Sequence, residues 1–181
     1  MHRDIAFREA LEAGCFRGQG FEHHFSPHVQ ISSDKTYAPL PTVKGGQNLQ
    51  DQFDGGIAAL ETIVNPFEKA ISVFLWGALR QFFFDGNKRT ARMMMNGVLL
   101  THGLHAMSVP ASLRDEFNAV MCRFYDQPDA SRSADEAAGF LVKCHPVIYR
   151  PERDTSHKDK DKDKVADVPS LTHLRRGPRQ P

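Results

Sequence analysis

Apolar residues recur at spacings of three and four along most of this chain, the period of helices that bury one face. Leu49, Phe53, Ile57 and Leu60 form one such set, interrupted by Gly55-Gly56. A second set holds Phe67, Ile71, Phe74, Leu75, Ala78 and Leu79, and it has a clear start. Asn65 can cap the helix, Pro66 suits its first position, and Glu68 completes a capping-box spacing. That helix should end near Phe83. The next carries Met93, Met94, Val98 and Leu99 to about His102, and Gly103 suits its stop. Ser112, with Asp115 three residues on, opens a helix with Leu113, Phe117, Val120, Met121 and Phe124 inward. Ser133, with Glu136 three on, opens a last one with Ala137, Phe140, Leu141 and Cys144. Residues 3–13 suit a short helix ending at Gly14.

The remainder has a different texture. Residues 18–46 are rich in Gly, Pro, Ser and His and have no helical period. Within them His28–Tyr37 fits a small hairpin turning near Ser33-Asp34-Lys35. The expected fold class is all-α: a bundle of about six helices with one small β-hairpin. No alternation of strands and helices suggests a parallel sheet. Residues 1–150 should form one domain, with its core at about 15–145. Residues 151–181 turn polar and repetitive around the alternating run Lys158–Lys164, a composition that favours disorder.

Composition narrows the function classes. The chain has 181 residues, 23 basic and 22 acidic, with a formal net charge of +1. Such a balance argues against a general polyanion binder, so no nucleic-acid partner is expected, and any phosphate affinity must be local. Cys15, Cys122 and Cys144 include no CxxC pair and suit reduced thiols. No apolar run reaches the roughly 20 residues of a membrane span, and Met1-His2-Arg3-Asp4 lacks an apolar signal region. A soluble cytoplasmic protein without a membrane partner is the expectation.

The stretch Gln81–Arg92 concentrates the candidate chemistry: Gln-Phe-Phe-Phe-Asp-Gly-Asn-Lys-Arg-Thr-Ala-Arg. A helix, a tight Asp-Gly-Asn turn and a second helix offer free backbone N–H groups at the positive end of a dipole. Gly86 would let the backbone approach an anion. Arg89 and Arg92, three apart, can clamp successive phosphates. Asp85 can hold Mg²⁺, which favours few carboxylates plus phosphate oxygens. Asn87 can bond phosphate or fix the loop.

Phe83–Arg92 resembles the signature loop of Fic (Fic/Doc) domains, His-x-Phe-x-Asp/Glu-Gly-Asn-Gly/Lys-Arg-x-x-Arg. Met94-Met95-Asn96-Gly97 and Phe117–Met121 with Phe124-Tyr125-Asp126 are similar to the residues downstream of that loop in members. The resemblance covers roughly residues 15–145 and implies transfer of AMP from ATP to a Ser, Thr or Tyr hydroxyl of a target protein. By position, Asp85 would hold Mg²⁺, and Gly86, Asn87 and Lys88 would line an anion hole. Arg89 would contact the β-phosphate, Arg92 would fix the γ-phosphate, and Phe83 would anchor the loop. The hairpin, through Ile31, Ser32, Thr36 and Tyr37, would be a flap pairing with an extended target segment.

Gln81 stands where the family has its general-base histidine. An amide cannot take up a proton near neutral pH, and loss of a positioned base costs roughly 10²–10⁴-fold in rate. His23, His24, His28, His102 and His105 are substitutes by type only. Two alternatives therefore stand beside AMP transfer. One is a nucleotide-binding pseudoenzyme that regulates a partner. The other is Doc-like phosphotransfer: Lys88 is similar to the residue found in ordinary members and in the Doc branch alike, and Arg92, which Doc-type sequences usually lack, argues against it. Ser112–Asn118 has the spacing of the family's inhibitory helix but falls within a core helix, so restraint would come from a separate inhibitory protein or a missing segment.

Overall fold

The side chain of Asn65 accepts hydrogen bonds from the backbone N–H groups of Phe67 (2.9 Å) and Glu68 (3.1 Å), and this cap starts the central helix, α3 (Pro66–Arg80). In the computed structural model, which describes residues 1–128 and 131–145, six helices are arranged in chain order. They are α1 (His2–Ile5), α2 (Gln47–Glu61), α3, α4 (Asn87–Thr101), α5 (Arg114–Asp126) and α6 (Ser131–Lys143). Strands β1 (Val29–Gln30) and β2 (Thr36–Tyr37) pair antiparallel between α1 and α2, with Val29 opposite Tyr37. The all-α expectation with one hairpin holds. Residues 146–181, including the expected charged tail, lie outside the described residues.

α3 and α4 form the most extensively packed pair. They cross closely because Gly77 faces Ala91: a Cβ at 77 would lie 2.9 Å from that methyl group. Ile71, Phe74 and Ala78 on α3 and Met95 and Leu99 on α4 meet Phe117, Val120, Met121 and Phe124 of α5 and Phe140 and Leu141 of α6. The apolar periodicities of α3, α4, α5 and α6 thus converge on one core, whose burial drives the assembly. α4 ends as Gly103 predicts. Gly103 is left-handed, and the N–H groups of Leu104 and Gly103 bond the carbonyls of Leu99 (2.9 Å) and Leu100 (3.1 Å).

Four local expectations are corrected. The first helix is a single turn, not 3–13. Left-handed Arg8 and Glu12 break the chain, and the Glu12 carboxylate instead accepts from the backbone N–H groups of Phe21 and Glu22. α2 runs unbroken through Gly55-Gly56, and Gly56 makes room for the Trp76 ring, 2.3 Å from where a Cβ would stand. The N-cap position of α5 is taken by Leu113 rather than Ser112, because a 3₁₀ turn at Ala111–Leu113 leads into the helix. Ser133 lies inside α6, with its hydroxyl donating to the Gln127 carbonyl at 2.5 Å.

Candidate functional site: the α3–α4 loop

α3 stops at Arg80, earlier than its apolar pattern suggests, because Gln81 turns left-handed at φ 49°. Such a conformation is uncommon outside glycine, and neighbours hold it. The Gln81 carbonyl accepts from the Arg17 guanidinium Nε at 2.7 Å. Its side-chain amide donates to the Ala78 carbonyl at 2.5 Å and its Oε1 accepts from Asn87 Nδ2 at 3.1 Å. Gln81 is 8% exposed. Both ends of this amide are thus engaged, one with α3 and the other with Asn87.

Asn87 completes the inner half. Its Oδ1 accepts from the Phe83 N–H at 2.9 Å, and its Nδ2 donates to the Phe83 carbonyl at 2.8 Å. Of the two roles open to Asn87, the structure selects loop fixation. Only its backbone remains for an anion. Core anchoring is shared out differently from the expectation for Phe83. Phe82 is the buried ring, whereas Phe83 is half-buried and stacks on His2 at 3.6 Å and 5°.

The outer half is charged and exposed. Asp85 is 66% exposed. Its Oδ1 accepts from the Gly86 N–H at 2.6 Å, and its Oδ2 lies 3.6 Å from Arg89 Nη2. Gly86 caps α4 in the left-handed region, φ 75°. Its bare face looks at the N-terminal segment rather than at open space: a Cβ would lie 3.2 Å from Ala6 Cβ and 3.4 Å from His2 Nε2. The free N–H groups of the first turn of α4 and its dipole remain an anion-attracting end. Lys88 and Arg89 are exposed there. Arg92 diverges from them, with its guanidinium over the Phe117 ring at 5.9 Å.

Three residues at this site were missed in the sequence. The His2 Nδ1 accepts from the Gly14 N–H at 2.9 Å, so Nε2 carries the proton and donates to the Asp85 carbonyl at 2.9 Å. Burial lowers the pKa of His2, against the opposing pull of that bond. With both nitrogens bonded, His2 is a clamp. Glu9 pairs with Arg89, covering the arginine expected to meet phosphate. Arg17, 0% exposed, adds bonds to Thr42 Oγ1 (2.8 Å) and the Leu40 carbonyl (2.9 Å). Burial brings its pKa down to about 10. No spacing pattern marks these three, because each acts across a long sequence separation.

The hairpin is docked on α5 through Tyr37, stacked on Tyr125 at 5.4 Å, and through a Lys35–Asp126 ion pair. Thr36 and Tyr37 lie in β2, while Ile31 and Ser32 lie just past β1 in the turn, both their N–H groups bonding the Lys35 carbonyl. Ser32 and Thr36 are exposed; Ile31 and Tyr37 pack on the core.

Among the described residues no group of three His, Cys, Asp or Glu side chains could hold a metal, and no helix is long and apolar enough to cross a membrane. Asp85 alone fits a cation only together with phosphate oxygens.

No family profile and no curated protein matches the sequence. Among solved structures, a Fic domain-containing signaling protein from Bacteroides thetaiotaomicron is similar over 74% of this chain and 52% of its own, at 13% identity and a TM-score of 0.57. The chain thus spans about half the length of that protein. At this identity the likeness concerns architecture, and a Fic-like helical fold with a small hairpin is the conclusion it carries.

Proposed function

We propose that this chain is a Fic-type nucleotidyltransferase that binds ATP with Mg²⁺ at the α3–α4 loop and transfers AMP to a target hydroxyl at a reduced rate. One observation carries the binding half: exposed Asp85, Lys88 and Arg89 gather at the N-terminus of α4 on a loop bonded rigidly from within. Asp85 would hold Mg²⁺, which would neutralise charge on the phosphates. The backbone of Gly86, Asn87 and Lys88 would face the anion, Arg89 would leave Glu9 for the β-phosphate, and Arg92 would swing from Phe117 to the γ-phosphate. Ile31, Ser32, Thr36 and Tyr37 would present the target segment.

In the transfer, the target hydroxyl oxygen bonds to the α-phosphorus, the bond to the bridging oxygen breaks, and pyrophosphate leaves. The hydroxyl proton needs an acceptor, and Gln81 cannot be one. The burial of Gln81, with both amide atoms engaged, favours a second reading: a pseudoenzyme that binds the nucleotide and a protein partner without transfer.

The test uses ATP labelled at the α- or γ-phosphate, Mg²⁺ and a cell lysate, with calorimetry of ATP binding. Saturable binding that Arg89→Ala weakens, with α-label on protein rising at least about tenfold in Gln81→His, is the expected result. Binding without label from either variant selects the pseudoenzyme, and γ-label selects phosphotransfer. Absence of binding at millimolar ATP overturns every one of these readings.

A further inference from the structure

Beside the loop, on the side of α4 that carries Thr90, Ala91 and Met94, lies a partly open, mostly apolar cavity of about 150 Å³. Its wall is aromatic: Phe16, Phe53, Trp76 and Phe82 contribute rings from the N-terminal segment, α2, α3 and the loop. These rings contact one another, with Trp76–Phe82 centroids at 5.0 Å and Phe53–Trp76 at 5.6 Å. Met1, His2 and Asn87 also line the cavity, but the Met1 ammonium pairs with Asp4 and the polar side-chain atoms of His2 and Asn87 are bonded within the fold. Thr90, 4% exposed, lines the cavity, and its Oγ1 is buried without a hydrogen-bond partner. A buried hydroxyl left unbonded is costly.

An ordered water finds few partners here. An ordered buried water makes two to four hydrogen bonds, and among the described residues Thr90 offers the single buried unpartnered side-chain group on this wall. The Asn87 amide at the rim is already committed to Phe83 and Gln81. An apolar cavity of roughly this volume accommodates a benzene-sized molecule. Aromatic walls favour a ring in edge or offset contact, and the flexible Met94 thioether suits ring contact as well.

We propose that this cavity binds a small aromatic molecule with one hydroxyl or ring N–H, the ring lying against the wall formed by Phe16, Phe53, Trp76 and Phe82 and the polar group bonded to Thr90 Oγ1. The site borders the α3–α4 loop through Phe82, Phe83 and Asn87, and the proposal does not depend on the chain's binding ATP.

Phenol and benzene are the probes, and Trp76, the single tryptophan, is the reporter. Titration of the full chain with phenol should give a saturable change in Trp76 fluorescence. Thr90→Val keeps the shape and removes the hydroxyl. It should weaken phenol about fivefold or more, the size of one hydrogen bond, and leave benzene unchanged. Met94→Phe, at a half-buried wall position, should fill the space and abolish both. Urea unfolding of each variant checks that it is folded. The proposal is overturned by no saturable change with either probe at millimolar concentration. It is equally overturned by phenol binding equally well to Thr90→Val, or by binding that survives in folded Met94→Phe.

Discussion

The two halves of the α3–α4 loop divide structure from chemistry. Gln81, Phe82 and Asn87 are buried, and the side-chain amides of Gln81 and Asn87 bond each other, Ala78 and Phe83. Asp85, Lys88 and Arg89 are exposed, and the contacts of Asp85 and Arg89 are with each other, with the loop backbone or with a surface carboxylate. An inner half that is fully bonded cannot rearrange cheaply, so it holds the outer half in one geometry. Gln81, bonded through its carbonyl and through both ends of its side-chain amide, is therefore part of the scaffold.

The sharpest way to break this division is at Arg17, which ties Gln81, Leu40 and Thr42 together from a fully buried position. Arg17→Leu would strand three acceptors, and a cost of about 3 kcal/mol is expected. Equilibrium urea unfolding checks it, and a loss under about 1 kcal/mol would mean that the inner half does not need this pillar. Arg17→Lys should recover little, since an ammonium lacks the fork that serves three partners.

Asn87→Ala should cost about 2 kcal/mol by unpairing Phe83 and Gln81. Arg89→Ala, on the outer half, should be within about 0.5 kcal/mol of the parent, as exposed substitutions usually are. Equal losses in the two variants would erase the distinction between the halves.

Smaller effects sharpen it. Glu9 competes with any anion for Arg89, and an exposed pair is worth about 0.2–1 kcal/mol. Glu9→Gln should therefore tighten ATP binding about 1.5- to 5-fold in calorimetry, more at low salt.

The last effect is one of pH. Burial depresses the folded pKa of His2 below its reference value of 6.5. The free segment then binds a proton that the docked one does not. Docking of the N-terminal segment is complete above pH 6.5 and weakens as pH falls toward the folded value. The Met1 ammonium and Arg89 add to the lowering, and Asp85 opposes it. The protection of the Gly14 amide, whose N–H bonds His2, relative to its intrinsic exchange rate should fall below that pH, and His2→Gln should remove the dependence.

The features legible in the sequence are the local ones. Asn65-Pro66 and Gly103 act within one turn, so the start of α3 and the end of α4 were readable, and the apolar periods marked the helices that share the core. The early stop of α3 was not, because nothing within that helix forces Gln81 left-handed; Arg17, 64 residues away, holds its carbonyl. Continuous α2 across Gly55-Gly56 was likewise settled by Trp76 on another helix.

The sequence by itself determined the helical class, the hairpin and the gathering of Asp85, Lys88 and Arg89 at one helix start, since periodicity and spacing are properties of neighbours along the chain. Tertiary structure alone decided which of those side chains stay free. It committed Gln81 and Asn87 to the scaffold, set Glu9 on Arg89 and His2 beneath the loop, turned Arg92 to Phe117, and left Thr90 Oγ1 alone in an aromatic cavity. The physical reason is the same in each case. Burial and hydrogen-bond completion depend on what the folded chain brings alongside, and no local pattern encodes a partner that far away.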